Sequence, residues 1–235
     1  VSTAAVIIIG NEILTGKFAD ENGGYLIRRL RELGVDLQRM VVIPDVIEVI
    51  AAEVRLASSR YDHVFTTGGV GPTHDDLTFP GVAAAFDVPL VRNAELERVI
   101  RERGHGPFNT AAMRMAEVPA GADLWWDGHV FYPLVVVRNV AIFPGVPALL
   151  RLKFEAVAHR FAGVPVSTRR MTTERSEPEI ADLLTQAANT WPEIAIGSYP
   201  RFDERPYTVI VTLEGRDERA LEACEAFLRA GVDPR

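Results

Sequence analysis

Two adjacent carboxylates, Asp75 and Asp76, close the stretch Thr66-Thr67-Gly68-Gly69-Val70-Gly71-Pro72-Thr73-His74. An apolar run, His63 to Phe65, leads into it, and a helix-like segment, Phe79 to Phe86, leads out. Glycines between a strand and a helix let the backbone approach a bulky anion. The helix N-terminus adds free N–H groups and partial positive charge. Such a turn suits phosphate. Paired carboxylates would repel phosphate unless a metal cation sits between them. Phosphate, metal and acid in one loop point to chemistry on a phosphoanhydride. The plainer alternative is a turn whose glycines serve only positive φ and whose Asp and Thr residues only cap. Thr78, just before Phe79 and Pro80, fits an N-cap with proline in the first helical turn, so neither aspartate is needed for that purpose. The loop lacks the Gly-Lys-Ser/Thr of a Walker motif and the Gly-x-Gly-x-x-Gly of a dinucleotide fingerprint.

A doubly wound sheet is the frame that would position these groups. Val6 to Ile9 is a β-branched run of the kind buried on both faces of a parallel sheet. It ends at Gly10-Asn11-Glu12-Ile13-Leu14-Thr15-Gly16. Ligands of open parallel sheets sit at strand carboxyl ends, so Gly10, Asn11 and Glu12 are placed to take part. A helix follows, with Leu26, Ile27, Leu30 and Leu33 on one face, Gly34 at its end, and Asp20 or Asn22 as the N-terminal cap. Leu37 to Ile43 reads as the second strand, stopping at Pro44-Asp45. A helix over Ile47 to Ala57 and a strand over His63 to Thr67 complete β-α-β-α-β-α, with His63 packing at a strand edge. Beyond Pro89 come a charged helix from Ala94 to Arg103, a loop over Gly104 to Asn109 and a short helical segment from Thr110 to Ala116. Pro133 to Val137 and Asn139 to Phe143 form either a hairpin or two strands of the main sheet. The second run ends at Phe143-Pro144-Gly145-Val146-Pro147, before a helix from Ala148 to Phe161. Two glycine turns on one sheet edge could hold two ends of one ligand.

Gly163-Val164-Pro165 marks a domain boundary. After it, strand, helix, two strands and helix follow in a small β-α-β-β-α module, with a charged hairpin tip over Arg201 to Arg205. The 235 residues suffice for one sizeable core plus such a satellite. A net charge of −7 argues against broad binding to nucleic acid or anionic membrane. The module contains no Gly-x-x-Gly clamp for RNA. No apolar run is long enough to span a bilayer, and no signal segment opens the chain. A cytoplasmic location is expected. The single cysteine, Cys224, lies on an apolar helical stripe with Leu221 and Leu228 and reads as a core thiol.

Taken in order, these motifs resemble a known family. They are Gly10-Asn11-Glu12-Ile13-Leu14-Thr15-Gly16, the Asp20-x-Asn22 pair, Asp45, Thr67-Gly68-Gly69-Val70-Gly71-Pro72-Thr73-x-Asp75-Asp76-x-Thr78, and Phe143-Pro144-Gly145-Val146-Pro147. The first two thirds of the chain, residues 1–163, is similar to the molybdopterin-binding domain of the competence/damage-inducible protein A family. A similar domain forms the N-terminal part of eukaryotic FAD synthase. The last third, residues 166–235, resembles the family's KH-like middle domain. The family's C-terminal deamidase domain has no counterpart here, so deamidation of nicotinamide mononucleotide is not expected. The family's Gly-x-Ala-x-Gly turn is replaced by Tyr132 to Val140, a run more like the FAD-synthase subgroup.

The resemblance implies an α/β fold and a hydrolase of nucleotide diphosphates, of the ADP-ribose or FAD pyrophosphatase type. It implies a divalent metal (Mg²⁺, Mn²⁺ or Co²⁺), with K⁺ in some members. Asp75 and Asp76 would hold the metal, which lowers the pKa of a bound water for in-line attack. Glu12 and Asp45 are candidates for a second metal contact or a general base. Gly68, Gly69 and Gly71 would offer backbone N–H groups to phosphate, with Gly10, Asn11, Thr67, Thr73, Pro144 and Gly145 completing the binding surface. Molybdopterin or nucleotide binding without turnover, and adenylyl transfer in molybdenum cofactor synthesis, are the alternatives. A homo-oligomer, dimer or trimer, is expected.

Overall fold

The computed structural model describes residues 1–103, 110–127, 131–201 and 208–232. The loop expected over Gly104 to Asn109, and most of the hairpin tip after Arg201, lie outside them. Residues Val1–Gly163 form one compact unit and Val164–Arg235 another.

The first unit runs β1 (Thr3–Ile9), α1 (Asn11–Leu14), α2 (Asn22–Glu32), β2 (Asp36–Ile43), α3 (Ile47–Arg60), β3 (His63–Thr67) and α4 (Thr78–Ala85). It continues with β4 (Leu90–Arg92), α5 (Ala94–Arg103), α6 (Thr110–Arg114), β5 (Glu117–Pro119), β6 (Asp123–Trp125), β7 (Leu134–Val137), β8 (Val140–Phe143) and α7 (Pro147–Val157). Six strands form one sheet in the order β2-β1-β3-β8-β7-β6. β2, β1, β3 and β8 are parallel, whereas β7 and β6 are added by antiparallel pairing. The two apolar runs after Pro133 are therefore both a hairpin and members of the main sheet, with Arg138 at φ +55° in the turn between them.

Alternation along β1 assigns its two faces to two cores. Ala5, Ile7 and Ile9 pack with buried residues of α3 and α4, such as Ile50, Val54 and Val82. Ala4, Val6 and Ile8 pack with Leu26 and Leu30 of α2 and Leu150 and Phe154 of α7. Helices thus cover both faces, as buried parallel strands require. One expectation needs correction: Ile27 is 41% exposed, and the buried face of α2 is Asn22, Gly23, Leu26 and Leu30. Gly34, at φ +74°, ends the helix as expected. His63 is half-buried with its ring edge against Phe161 at 5.3 Å, and burial lowers its pKa.

The order of the parallel strands fixes where a ligand can enter. The chain moves from β1 to β2 on one side and returns to β3 on the other. The carboxyl ends of β1 and β3 therefore flank the switch point, where the crossovers diverge and leave a crevice. Gly10 follows one of these ends and Gly68 the other.

The second unit runs β9 (Ser167–Thr173), α8 (Glu177–Thr190), β10 (Ala195–Arg201), β11 (Thr208–Gly215) and α9 (Glu218–Val232). Its antiparallel sheet has the order β10-β11-β9. Ser176 and Glu179 form a reciprocal capping box at the start of α8. Cys224 is fully buried among Leu221, Leu228, Val209 and Val211, as a core thiol should be.

Candidate functional site

Two glycine turns meet backbone to backbone at the switch point. Gly68 has φ +100°, and a Cβ there would lie 1.9 Å from the Ile9 carbonyl oxygen, so no other residue fits. A Cβ on Gly145 would lie 3.1 Å from Gly68 Cα. Asn22, at the start of α2 and buried, ties the two turns together. Its Nδ2 donates to Thr67 Oγ1 at 2.9 Å and to the Gly145 carbonyl at 2.7 Å. Thr67 Oγ1 in turn donates to the Pro144 carbonyl at 3.0 Å. Of the two caps the sequence suggests for α2, Asp20 and Asn22, it is Asp20 that takes the task, accepting from the N–H groups of Asn22 and Gly23, both at 3.0 Å. The Asn22 Oδ1 is buried without a hydrogen-bond partner.

Thr78 also departs from expectation. It does not cap α4, because helical geometry already begins at Thr78 and its hydroxyl is turned back to the loop. Thr78 Oγ1 donates to the Gly68 carbonyl at 2.7 Å, and its N–H donates to the Gly69 carbonyl at 3.0 Å. In a trans peptide the carbonyl and the following N–H point in opposite directions. With the carbonyls of Gly68 and Gly69 drawn to Thr78, the N–H groups of Gly69 and Val70 face away from α4. Both residues line the cleft.

That cleft has a volume of about 660 Å³. Of the residues singled out in the sequence, Glu12, Thr67, Gly68, Gly69, Asp75, Asp76 and Gly145 line it. Gly10, Asn11, Asp45, Gly71, Thr73 and Pro144 are not among the residues that line it. Glu12 folds its carboxylate over Gly10, where a Cβ would lie 2.7 Å from Glu12 Oε1. Asp45 Oδ2 accepts from the Asn11 N–H at 2.8 Å, and its Oδ1 lies 3.4 Å from where a Cβ on Gly69 would be. Burial pushes the Asp45 carboxyl up, the Asn11 N–H opposes this, and the negative charges of Glu12 and Asp75 push it further up. Asp45 therefore feels the charges of Glu12 and Asp75.

The two adjacent aspartates have different surroundings. Asp76 is half-buried, and its Oδ2 accepts from both the Thr73 N–H, at 2.7 Å, and the Thr73 hydroxyl. Gly71 is small for the same reason, since a Cβ would lie 2.6 Å from Asp76 Oδ2. Asp75 is exposed, 3.8 Å from the exposed His74 ring, and hydrogen bonding with Thr73 holds it below the usual carboxylate range. Among the described residues, no group of three or more His, Cys, Asp and Glu side chains is gathered closely enough to form a metal cluster. No helix among them is long and apolar enough to cross a membrane.

Comparison with known proteins bears on what such an edge does. Residues 5–181 match the family described as "Probable molybdopterin binding domain". Residues 165–235 match "FAD synthase, middle domain". A protein of Archaeoglobus fulgidus is 35% identical over 94% of this chain and 95% of its own length. A "Probable FAD synthase" of Caenorhabditis briggsae is 32% identical over 97% of this chain, which spans 49% of that relative. Among solved structures, the protein CinA from Thermoplasma acidophilum, of unknown function, superposes with a TM-score of 0.61 at 27% identity. The match covers 68% of this chain and 99% of that one.

Proposed function

The chain belongs to the CinA-type family of molybdopterin-binding domains, and on that footing we propose that it hydrolyses the pyrophosphate bond of a nucleotide diphosphate such as ADP-ribose or FAD. One observation carries the reading. Two glycine turns, joined through Asn22, face a cleft ringed by the carboxylates Glu12, Asp75 and Asp76, with Asp45 just behind. The family resemblance and the likeness to FAD synthases support the nucleotide as ligand.

The N–H groups of Gly69 and Val70 bind phosphate oxygens, and Gly68 and Gly145 let both turns approach the anion closely. The residues present fit a divalent cation in chemistry. The donors are hard carboxylate oxygens, the type a divalent cation takes, and Asp75 and Asp76 both line the cleft. Asp75 and Asp76 would hold it, Asp76 through Oδ1, since both Thr73 bonds fall on Oδ2. When bound, such a cation neutralises pyrophosphate charge and acidifies a coordinated water. Asp45, whose carboxyl burial pushes up and whose Oδ2 is engaged by the Asn11 N–H, is suited to take a proton at Oδ1.

The alternative of binding without turnover draws on the engagement of Asp76 in its own turn. The two separate in a screen of ADP-ribose, FAD and related dinucleotides with Mg²⁺, Mn²⁺ or Co²⁺, with and without K⁺. Release of AMP supports hydrolysis. Tight binding with no product under every metal supports a binding protein, and adenylylated molybdopterin with release of pyrophosphate, when ATP and molybdopterin are supplied instead, supports the transferase.

A further inference from the structure

Phenylalanine belongs in cores by default, because its ring removes a large apolar area from water. Phe18 is 60% exposed. It stands in an otherwise polar segment between α1 and α2, just after Gly16 turns the chain at φ +70°. Its N–H donates to the Glu12 carbonyl at 3.2 Å, which fixes its backbone relative to the helix that carries the Glu12 carboxylate. The ring lines the cleft. Ile13 accompanies it from α1, and Val146 and Pro147 line the same cleft from the second glycine turn. Val146 is also well exposed. The cleft thus joins two anion-type turns to an apolar wall in which Phe18 and Val146 are exposed, whereas Ile13 also packs against the core beneath α2 and α7. The Lys17 ammonium lies 5.7 Å from the Phe18 ring centroid and adds positive charge beside it.

A ligand matching both parts carries phosphate at one end and a planar, poorly hydrated ring at the other. The cleft volume falls within the range of pockets that hold nucleotide-sized molecules. We infer that Phe18 is the stacking platform for the ring of the nucleotide whose phosphates lie against Gly69 and Gly145. The inference rests on the functional reading above for the identity of that nucleotide. Stacking accepts any flat π-face, so Phe18 sets tolerance among adenine- and flavin-type rings rather than reading one of them.

The test is calorimetric titration of the full chain with ADP-ribose and, separately, with inorganic pyrophosphate, each with Mg²⁺. Phe18→Ala should weaken ADP-ribose binding roughly 10- to 100-fold, the scale of one lost base–aromatic stack. Pyrophosphate has no ring, and its affinity should change by less than about twofold. Phe18→Trp should restore ADP-ribose binding, whereas Phe18→Leu, equally apolar but not flat, should not. Equal weakening of both ligands would make Phe18 a residue that shapes the loop and would overturn the inference. Unchanged ADP-ribose affinity in Phe18→Ala would also overturn it, placing the ring elsewhere. The hydrolase reading fails separately, if the wild-type chain binds ADP-ribose in a Phe18-dependent way yet releases no product. Failure of the wild-type chain to bind ADP-ribose would end both.

Discussion

Asp76 serves its own turn and also lines the cleft. Its Oδ2 accepts two bonds from Thr73 and closes the loop over Gly71. Asp76→Asn keeps an oxygen for Thr73 and removes only the charge. Hydrolysis should fall by roughly 10²-fold, the scale for loss of a positioned electrostatic group. Stability should change by about 0.5 kcal/mol or less. Paired rate and melting measurements check this, and a large fall in melting temperature would make Asp76 structural. At this scale the sequence was informative about residue type and less so about partnership. Glycine and acid near a strand end can be read directly. The path of Asn22 across 45 and 123 positions, to Thr67 and Gly145, cannot, because it exists only once the strands are ordered side by side. Thr78 was misassigned for the same reason. Its spacing before Phe79 and Pro80 fits a cap, but the nearby Gly68 carbonyl recruits its hydroxyl. The signal for Phe18 was present as a lone aromatic in a polar loop.

The elements are held by contacts that differ sharply in tolerance. Gly68→Ala would place a methyl group against the Ile9 carbonyl in a left-handed conformation, with backbone on both sides. It should cost roughly 2 kcal/mol or more. Gly145→Ala meets only Gly68 Cα at 3.1 Å and should be tolerated with a small shift. Its larger effect should be on ligand affinity, because the second turn can no longer approach the first. Thermal melts of the two variants should therefore separate clearly, and similar losses would contradict the difference in clash between the two positions. On the other side of the sheet, Lys153 of α7 donates to the carbonyls of Tyr132 and Pro133, at the entry to β7. Burial brings its pKa down to about 8. Below that pH the ammonium is charged in folded and unfolded chains alike, and its desolvation cost is fully present. Between about 8 and the unfolded value of about 10.4, the folded chain releases the proton first, so stability rises with pH. The melting temperature of the wild type relative to Lys153→Met should accordingly climb from pH 8 to 10. A fall over that range would contradict the assignment. The elements themselves were legible from apolar runs and turn residues. The β7–β8 pairing was less so, since a four-residue apolar strand reads alike in a hairpin and in a sheet.

For the whole molecule, every residue of the candidate site belongs to the unit Val1–Gly163, which has its own cores on both faces of its sheet. The second unit has its own separate core. Removing residues 166–235 should leave ADP-ribose affinity within about threefold, the spread expected when no contact to the ligand is lost, and should change oligomeric state or solubility more. Affinity titration and sedimentation together check this, and lost binding with unchanged assembly would contradict it. The central claim is that this sheet edge cleaves a phosphoanhydride. The most direct measurement follows AMP release from ADP-ribose and FAD by the purified chain, with each divalent metal and with a chelator. The account predicts AMP in the presence of metal, none with chelator, and its loss in Asp75→Asn with the fold intact. Metal-supported AMP release that persists undiminished in Asp75→Asn, Asp76→Asn, Glu12→Gln and Asp45→Asn would contradict it.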